Sequence, residues 1–112
     1  MKSVLITGCS SGVGLCIAKG LKEKGYRVFA SARSPDDVKN LKNLGFESLL
    51  LDLSSSKSIN AAVFKLYEMT DNIYALINNG AYGQAGALED ISREVLEKQF
   101  QSNVFGWHKL TN

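Results

Sequence analysis

The sequence predicts an α/β fold, a doubly wound parallel sheet of about four strands in the order 3-2-1-4. Three observations carry this expectation. Short continuous apolar runs recur along the 112 residues, as strands buried on both faces require. Segments of helical periodicity with readable ends separate those runs, and strands alternating with helices imply right-handed crossovers. A glycine-rich turn joins the first apolar run to the first helical segment.

The first strand is expected at Val4-Leu5-Ile6. The helix after Gly12 should place Val13, Ile17 and Leu21 on its inner face and stop at Gly25, which suits the left-handed position past a helix end. Lys22 and Lys24 favour the negative end of its dipole. Val28-Phe29-Ala30 reads as the second strand. The second helix opens with Ser34 as cap, Pro35 at the first helical position and the acids Asp36 and Asp37, and ends before Gly45. Leu49-Leu50-Leu51 forms the third strand. A third helix spans about Ser56 to Met69, with Ile59, Val63 and Leu66 inward. Ala75-Leu76-Ile77 is the fourth strand. After a long loop, a last helix starts near Ser92 and carries Leu96, Phe100, Val104, Trp107 and Leu110 or Thr111 at helical spacing. The link at Asp71–Ile73 is too short to separate a second domain.

Composition removes several function classes. Apolar residues make up 45% and charged ones 21%, too rich a core for a disordered chain. No apolar run approaches the roughly 20 residues of a membrane span, and the N-terminus lacks the apolar stretch of a secretion signal. A cytoplasmic protein with no membrane partner is expected. Thirteen basic and eleven acidic side chains give a net charge of +2. They are spread evenly rather than gathered into a nucleic-acid-binding face. Cys9 and Cys16 fit neither a zinc framework nor a C-x-x-C motif, so two free thiols and no metal are expected.

The turn Thr7-Gly8-Cys9-Ser10-Ser11-Gly12-Val13-Gly14 has the makings of a phosphate cradle. Gly8 permits a tight turn, Gly12 lets a pyrophosphate approach the backbone, and Gly14 lets the helix pack close to the sheet. The helix start offers N–H groups and a positive dipole end, and Ser10 and Ser11 add hydroxyl donors. The turn lacks the Gly-Lys-[Ser/Thr] ending of a nucleotide-triphosphate P-loop.

This spacing resembles the T-G-x-x-x-G-x-G signature of the short-chain dehydrogenase/reductase family, which implies a Rossmann-type sheet. Asp52-Leu53 stands where the family sets an acidic residue against adenine. Asn78-Asn79-Gly80-Ala81 stands where it carries N-N-A-G, with the last two residues exchanged here. Asn79, Gly80 and Ala81 would then approach the nicotinamide ribose, and Val13 would join the glycine loop at the pyrophosphate. Asn103, twenty-four residues beyond Asn79, lies near the family's helix asparagine. It is the single catalytic candidate, through a water relay to a lysine.

Members that prefer NAD(H) carry an acid at the end of the second strand to bond the ribose 2′-OH. Here Ala32 occupies that position and Arg33 follows, a guanidinium suited to a 2′-phosphate, with Ser31 as a helper. NADP(H) is therefore expected over NAD(H), although Ser11 replaces the family's second basic marker.

The resemblance implies hydride transfer between the nicotinamide and a carbonyl or alcohol substrate, assisted by a tyrosine and lysine spaced Y-x-x-x-K. None of the four tyrosines has that lysine: Ala30, Asp71, Asn78 and Gly86 follow Tyr26, Tyr67, Tyr74 and Tyr82 at that distance. His108 reads as a surface residue. Residues 1–112 are thus expected to form a dinucleotide-binding half-domain that stops before the catalytic region and is inactive alone. The apolar side of the last helix implies a homo-oligomer. Two other readings stay open: a non-catalytic module that binds dinucleotide, and a nucleotide-free interaction scaffold.

Overall fold

A computed structural model describes residues 1–79 and 88–112. Its elements run β1 (Ser3–Ile6), α1 (Gly12–Glu23), β2 (Arg27–Ala32), α2 (Pro35–Asn43), β3 (Glu47–Leu50), α3 (Ser56–Met69) and β4 (Ala75–Ile77). A short 3₁₀ turn follows at Leu88–Asp90. One helical run then comprises α4 (Arg93–Phe100), a π-helical stretch Gln101–Gly106 and α5 (Trp107–Thr111). The strands form one parallel sheet in the order β3-β2-β1-β4. This is the Rossmann-type winding expected.

Alternation along each strand feeds two cores, one on each face of the sheet. Val4, Ile6, Val28 and Ala30 pack with Ala18 of α1 and with Val38 and Leu41 of α2. Leu5, Phe29 and Leu49 pack on the other face with Ile59, Ala62 and Leu66 of α3 and Leu110 of α5. Phe29, fully enclosed in the second core, is the largest side chain without solvent exposure among the described residues. No helix among the described residues is long and apolar enough to cross a membrane.

The cap at Ser34, the proline at the start of α2, the bounds of α3 and a left-handed Gly25 all stand as expected. Two helix faces differ. In α1 the buried residues are Gly14 and Ala18, while Val13 is exposed. Ile17 and Leu21 are partly buried against the first core as expected, and the fully buried line beside them is made of small residues. In the last helical run Leu96, Phe100, Val104 and Phe105 are exposed. The buried positions there are Ser102, Gly106 and Leu110. α4 buries no residue on any face, and the run meets the core only from Ser102 onward, where Gly106, Trp107 and Leu110 reach it.

At the end of the sheet opposite the strand C-termini, Arg27 of β2 grips Glu47 of β3 through two hydrogen bonds of 2.7 and 2.8 Å. The bond from Arg27 holds the Glu47 carboxyl below the usual carboxylate range. A depressed native value means stability that is present above the ordinary glutamate range and lost as pH falls through the lowered value. Glu47→Gln should therefore lower the melting temperature near neutrality, and the gap from the parent should close in acid. A gap that stays constant from pH 7 to pH 3 would assign the effect to packing instead.

Candidate functional site

The C-terminal ends of all four strands open onto one cleft of about 380 Å³, within the usual range for small-molecule sites. Thr7 and Gly8 contribute from the end of β1, Ala32 and Arg33 from β2, Leu51, Asp52 and Leu53 from β3, and Asn79 from β4. Crevices at strand C-termini are where open α/β sheets bind ligands, because the helix N-termini point there as well.

The turn between β1 and α1 is held open by conformation. Gly8 and Gly12 have φ of 68° and 63°, left-handed values that cost a side-chain-bearing residue roughly 1–2 kcal/mol. A Cβ on Gly12 would meet nothing within 4 Å. Backbone direction and room for an approaching group therefore account for this glycine, rather than packing.

The start of α1 differs from the other helix starts. Ser34, Ser55 and Ser92 each accept a hydrogen bond from a backbone N–H of their own helix, at Asp37, Ser58 and Val95. Ser11 makes no such bond, and the first turn of α1 contains no acid. A helix start that no side chain caps presents its N–H groups and positive dipole end to the cleft side of the turn, the arrangement that suits an anion. Ser10 and Ser11 are exposed and line the cleft beside them.

Asn79 lines the cleft and is also tied into the glycine turn. Its backbone N–H donates to Thr7 Oγ1 at 2.9 Å and its side-chain Nδ2 donates to the Gly8 carbonyl at 3.2 Å. The end of β4 is thereby stitched to the glycine turn. Its neighbour Asn78 donates from Nδ2 to Thr111 Oγ1 at 3.3 Å, tying β4 to α5. Gly80 and Ala81 lie outside the described residues.

Ser31 does not help Arg33. Its hydroxyl is buried away from the cleft lining and commits its proton to the Ile6 carbonyl at 3.1 Å, between strands. Arg33 itself is exposed on the cleft wall. Asp52 Oδ1 accepts from the backbone N–H and the hydroxyl of Ser54, at 3.0 and 2.6 Å, which fixes the carboxylate at the turn into α3. Leu53 is buried beside it.

Of the other expected positions, Gly12, Val13 and Gly14 build the helix start without lining the cleft, and Asn103 is half-buried in the π stretch. The lining residue from that stretch is its neighbour Ser102. Sequence reasoning also missed Thr7, Asp37 and Leu51 as lining residues. Thr7 directly precedes the first glycine of the turn, and that adjacency was the available signal. Asp37 and Ser102 reach the cleft through tertiary placement.

Cys9 sits inside the glycine turn with no solvent exposure, and burial pushes its thiol up to about 11. Its Sγ lies 3.3 Å from the Ile6 carbonyl, a weak donor contact. Cys16 is exposed on α1. Alkylation of the folded protein near neutral pH should add one group, at Cys16, and a second only after unfolding. Intact mass before and after denaturant checks this.

Comparisons with known proteins agree with this architecture. The chain is 48% identical over 111 residues to Uncharacterized oxidoreductase YbbO of Escherichia coli, covering 98% of this chain and 41% of that protein. Against 3-ketodihydrosphingosine reductase of Bacteroides thetaiotaomicron, identity is 36% over 104 residues, with 92% and 37% covered. Among solved structures, a short-chain dehydrogenase from Streptomyces avermitilis superposes with a TM-score of 0.90 at 29% identity, covering 98% of this chain and 42% of that one. A variant of actinorhodin polyketide ketoreductase with NADPH gives 0.87 at 30% identity, with 98% and 44% covered. The chain spans about two fifths of the length of the curated relatives it matches. With the family pattern matched along residues 2–112, and strand order and glycine turn in accord, the chain belongs to the short chain dehydrogenase family.

Proposed function

We propose that residues 1–112 are the dinucleotide-binding part of an NADP(H)-dependent oxidoreductase that moves a hydride between the nicotinamide and a small carbonyl or alcohol substrate. The observation that carries this reading is the start of α1, which no side chain caps, set behind a left-handed glycine turn beside a cleft that also holds Arg33 and Asp52.

The glycine turn from Gly8 to Gly14, with Ser10 and Ser11, would hold the pyrophosphate by backbone N–H groups and hydroxyls. Arg33 would take the 2′-phosphate in paired charge-assisted bonds. Asp52 and Leu53 would flank the adenine. Asn79 would brace the turn and, with Gly80 and Ala81, approach the nicotinamide ribose. When bound, the cofactor supplies the hydride, and this chain's own residues contribute binding and orientation. Asn103 would hold a water in a proton relay. The proton donor itself belongs to the Y-x-x-x-K element, which none of these tyrosines forms.

The exposed row Leu96, Phe100, Val104 and Phe105 supports a homo-oligomer, because apolar side chains gathered on one helical run favour a partner surface. The reading puts the protein in the cytoplasm, where the unpaired thiols of Cys9 and Cys16 stay reduced.

The test is direct titration with NADPH and NADH. Arg33→Ala should weaken NADPH binding roughly tenfold to a hundredfold, the value of a lost charge-assisted pair. NADH should change by less than about twofold by the same reasoning. Equal losses for the two would remove the 2′-phosphate assignment, and no saturable binding of either by the unaltered protein would remove the dinucleotide reading.

A further inference from the structure

Asp37 lines the same cleft as Arg33, and the cleft wall sets this one guanidinium against the carboxylates of Asp37 and Asp52. Such a wall is not built for a phosphate dianion alone. The Asp52 carboxylate is already engaged by Ser54. Asp37 has a different status. It is half-buried in the first turn of α2, and its backbone N–H donates to Ser34 Oγ at 3.4 Å. The ion pairs among the described residues are Arg27–Glu47 and Arg93–Glu97, so Arg33 and Asp37 do not neutralise each other. Both remain available to a ligand.

An acid in the first turn of α2 complements the helix dipole, and that alone does not distinguish Asp37 from Asp36. Asp36 also stands in the first turn of α2, complements the same dipole, and is exposed without lining the cleft. Asp37 is the acid of that turn that faces the candidate site.

We infer that Asp37 is a specificity residue for the adenosine end of the cofactor. Its carboxylate accepts a hydrogen bond from an unphosphorylated ribose and opposes a 2′-phosphate, while Arg33 does the reverse. The pair therefore keeps NAD(H) usable in a site whose arginine favours NADP(H). This inference rests on the dinucleotide reading above and adds a second determinant, of opposite sign, to the one carried by Arg33.

The experiment uses the full chain and two small probes that report on the adenosine end, adenosine 2′,5′-bisphosphate and 5′-AMP, by calorimetric or competition titration. Asp37→Asn should tighten the bisphosphate about threefold to tenfold and weaken 5′-AMP about twofold or more, from removing a like charge in one case and an acceptor in the other. The gain for the bisphosphate should shrink as salt rises, since it is Coulombic. Asp37→Glu should keep the parent's discrimination, and Asp36→Asn should change both probes by less than about twofold. A uniform change in both probes on Asp37→Asn, or an equal shift from Asp36→Asn, would overturn the assignment. If the unaltered protein discriminates between the probes and Asp37→Asn leaves the ratio fixed, the dinucleotide site stands and the role of Asp37 falls. If the unaltered protein binds neither probe, both fall.

Discussion

Gly14→Ala should lose about 2–3 kcal/mol of stability, the upper part of the range for forcing atoms into a packed interior, and should weaken dinucleotide binding with it. The added Cβ would collide with the Gly8 carbonyl oxygen and come within 2.6 Å of Asn79 Nδ2 and 2.9 Å of the Gly8 carbonyl carbon. Neither obstacle can step aside cheaply. One is backbone in a left-handed turn, and the other is an amide already donating to that same carbonyl. The helix start must therefore retreat from the turn, which spoils the arrangement of N–H groups facing the cleft. Urea unfolding should show a lower midpoint with an unchanged slope, and NADPH titration a weaker complex. Gly20→Ala is the matched control. Gly20 lies in the same helix with nothing within 4 Å of a new Cβ. There the usual alanine advantage in a helix should appear, a gain of about 0.5–1 kcal/mol. Equal effects at the two positions would show that helix propensity, not the approach to Gly8, governs Gly14.

Gly106→Ala should destabilise by about 1–3 kcal/mol for a related reason, at the far wall of the cleft. A Cβ there would strike the Leu53 carbonyl oxygen, with the Leu53 carbonyl carbon at 2.8 Å and the Gln101 oxygen at 3.0 Å. The π stretch thus touches the turn that carries Asp52 and Leu53. Moving it outward would also draw Trp107 and Leu110 away from the core beneath α3. Thermal melting should report the loss. Titration with 5′-AMP, which tests the proposed place of Leu53 beside the adenine, should show a weaker complex. Unchanged binding beside a lowered melting temperature would mean that Leu53 keeps its place and the helix alone yields.

Much of the fold was legible because its determinants are local. Ser34-Pro35 followed by two acids sets the start of α2 through groups within one turn. The continuous apolar runs mark strands because both faces of this sheet are covered. Where contact distance decided the outcome, hydropathy misled. Val13 is the larger apolar residue, yet Gly14 beside it is the buried one, because a side chain there would meet the Gly8 carbonyl, while Ile17 and Leu21 pack on the core as their spacing implies. Leu96, Phe100 and Val104 lie at helical spacing yet stay exposed, since α4 buries no residue and the run reaches the core through Ser102, Gly106 and Leu110.

The site was legible as a set of positions and less so as a set of bonds. The glycine turn, Arg33, Asp52 and Leu53 were placed around one cleft by the strand ends that carry them. The commitments of polar side chains were not legible. The Ser31 hydroxyl is consumed by Ile6, and the Asn79 amide by Gly8, through partners 25 and 71 residues away. Asp37 and Ser102 come from the first turn of α2 and from the π stretch, and no spacing rule links them to the glycine turn.

The four serines that open the long helices divide the molecule by opening rate. Three tie down an amide of their own first turn, and Ser11 ties down none. Among the helices that pack on the sheet, the first turn of α1 lacks this brace, and in the ligand-free protein its amides should exchange with solvent deuterium ahead of those at Asp37 and Ser58. Occupation by an anion supplies the missing acceptors, so the turn that is unbraced alone becomes a slow-exchanging one when filled.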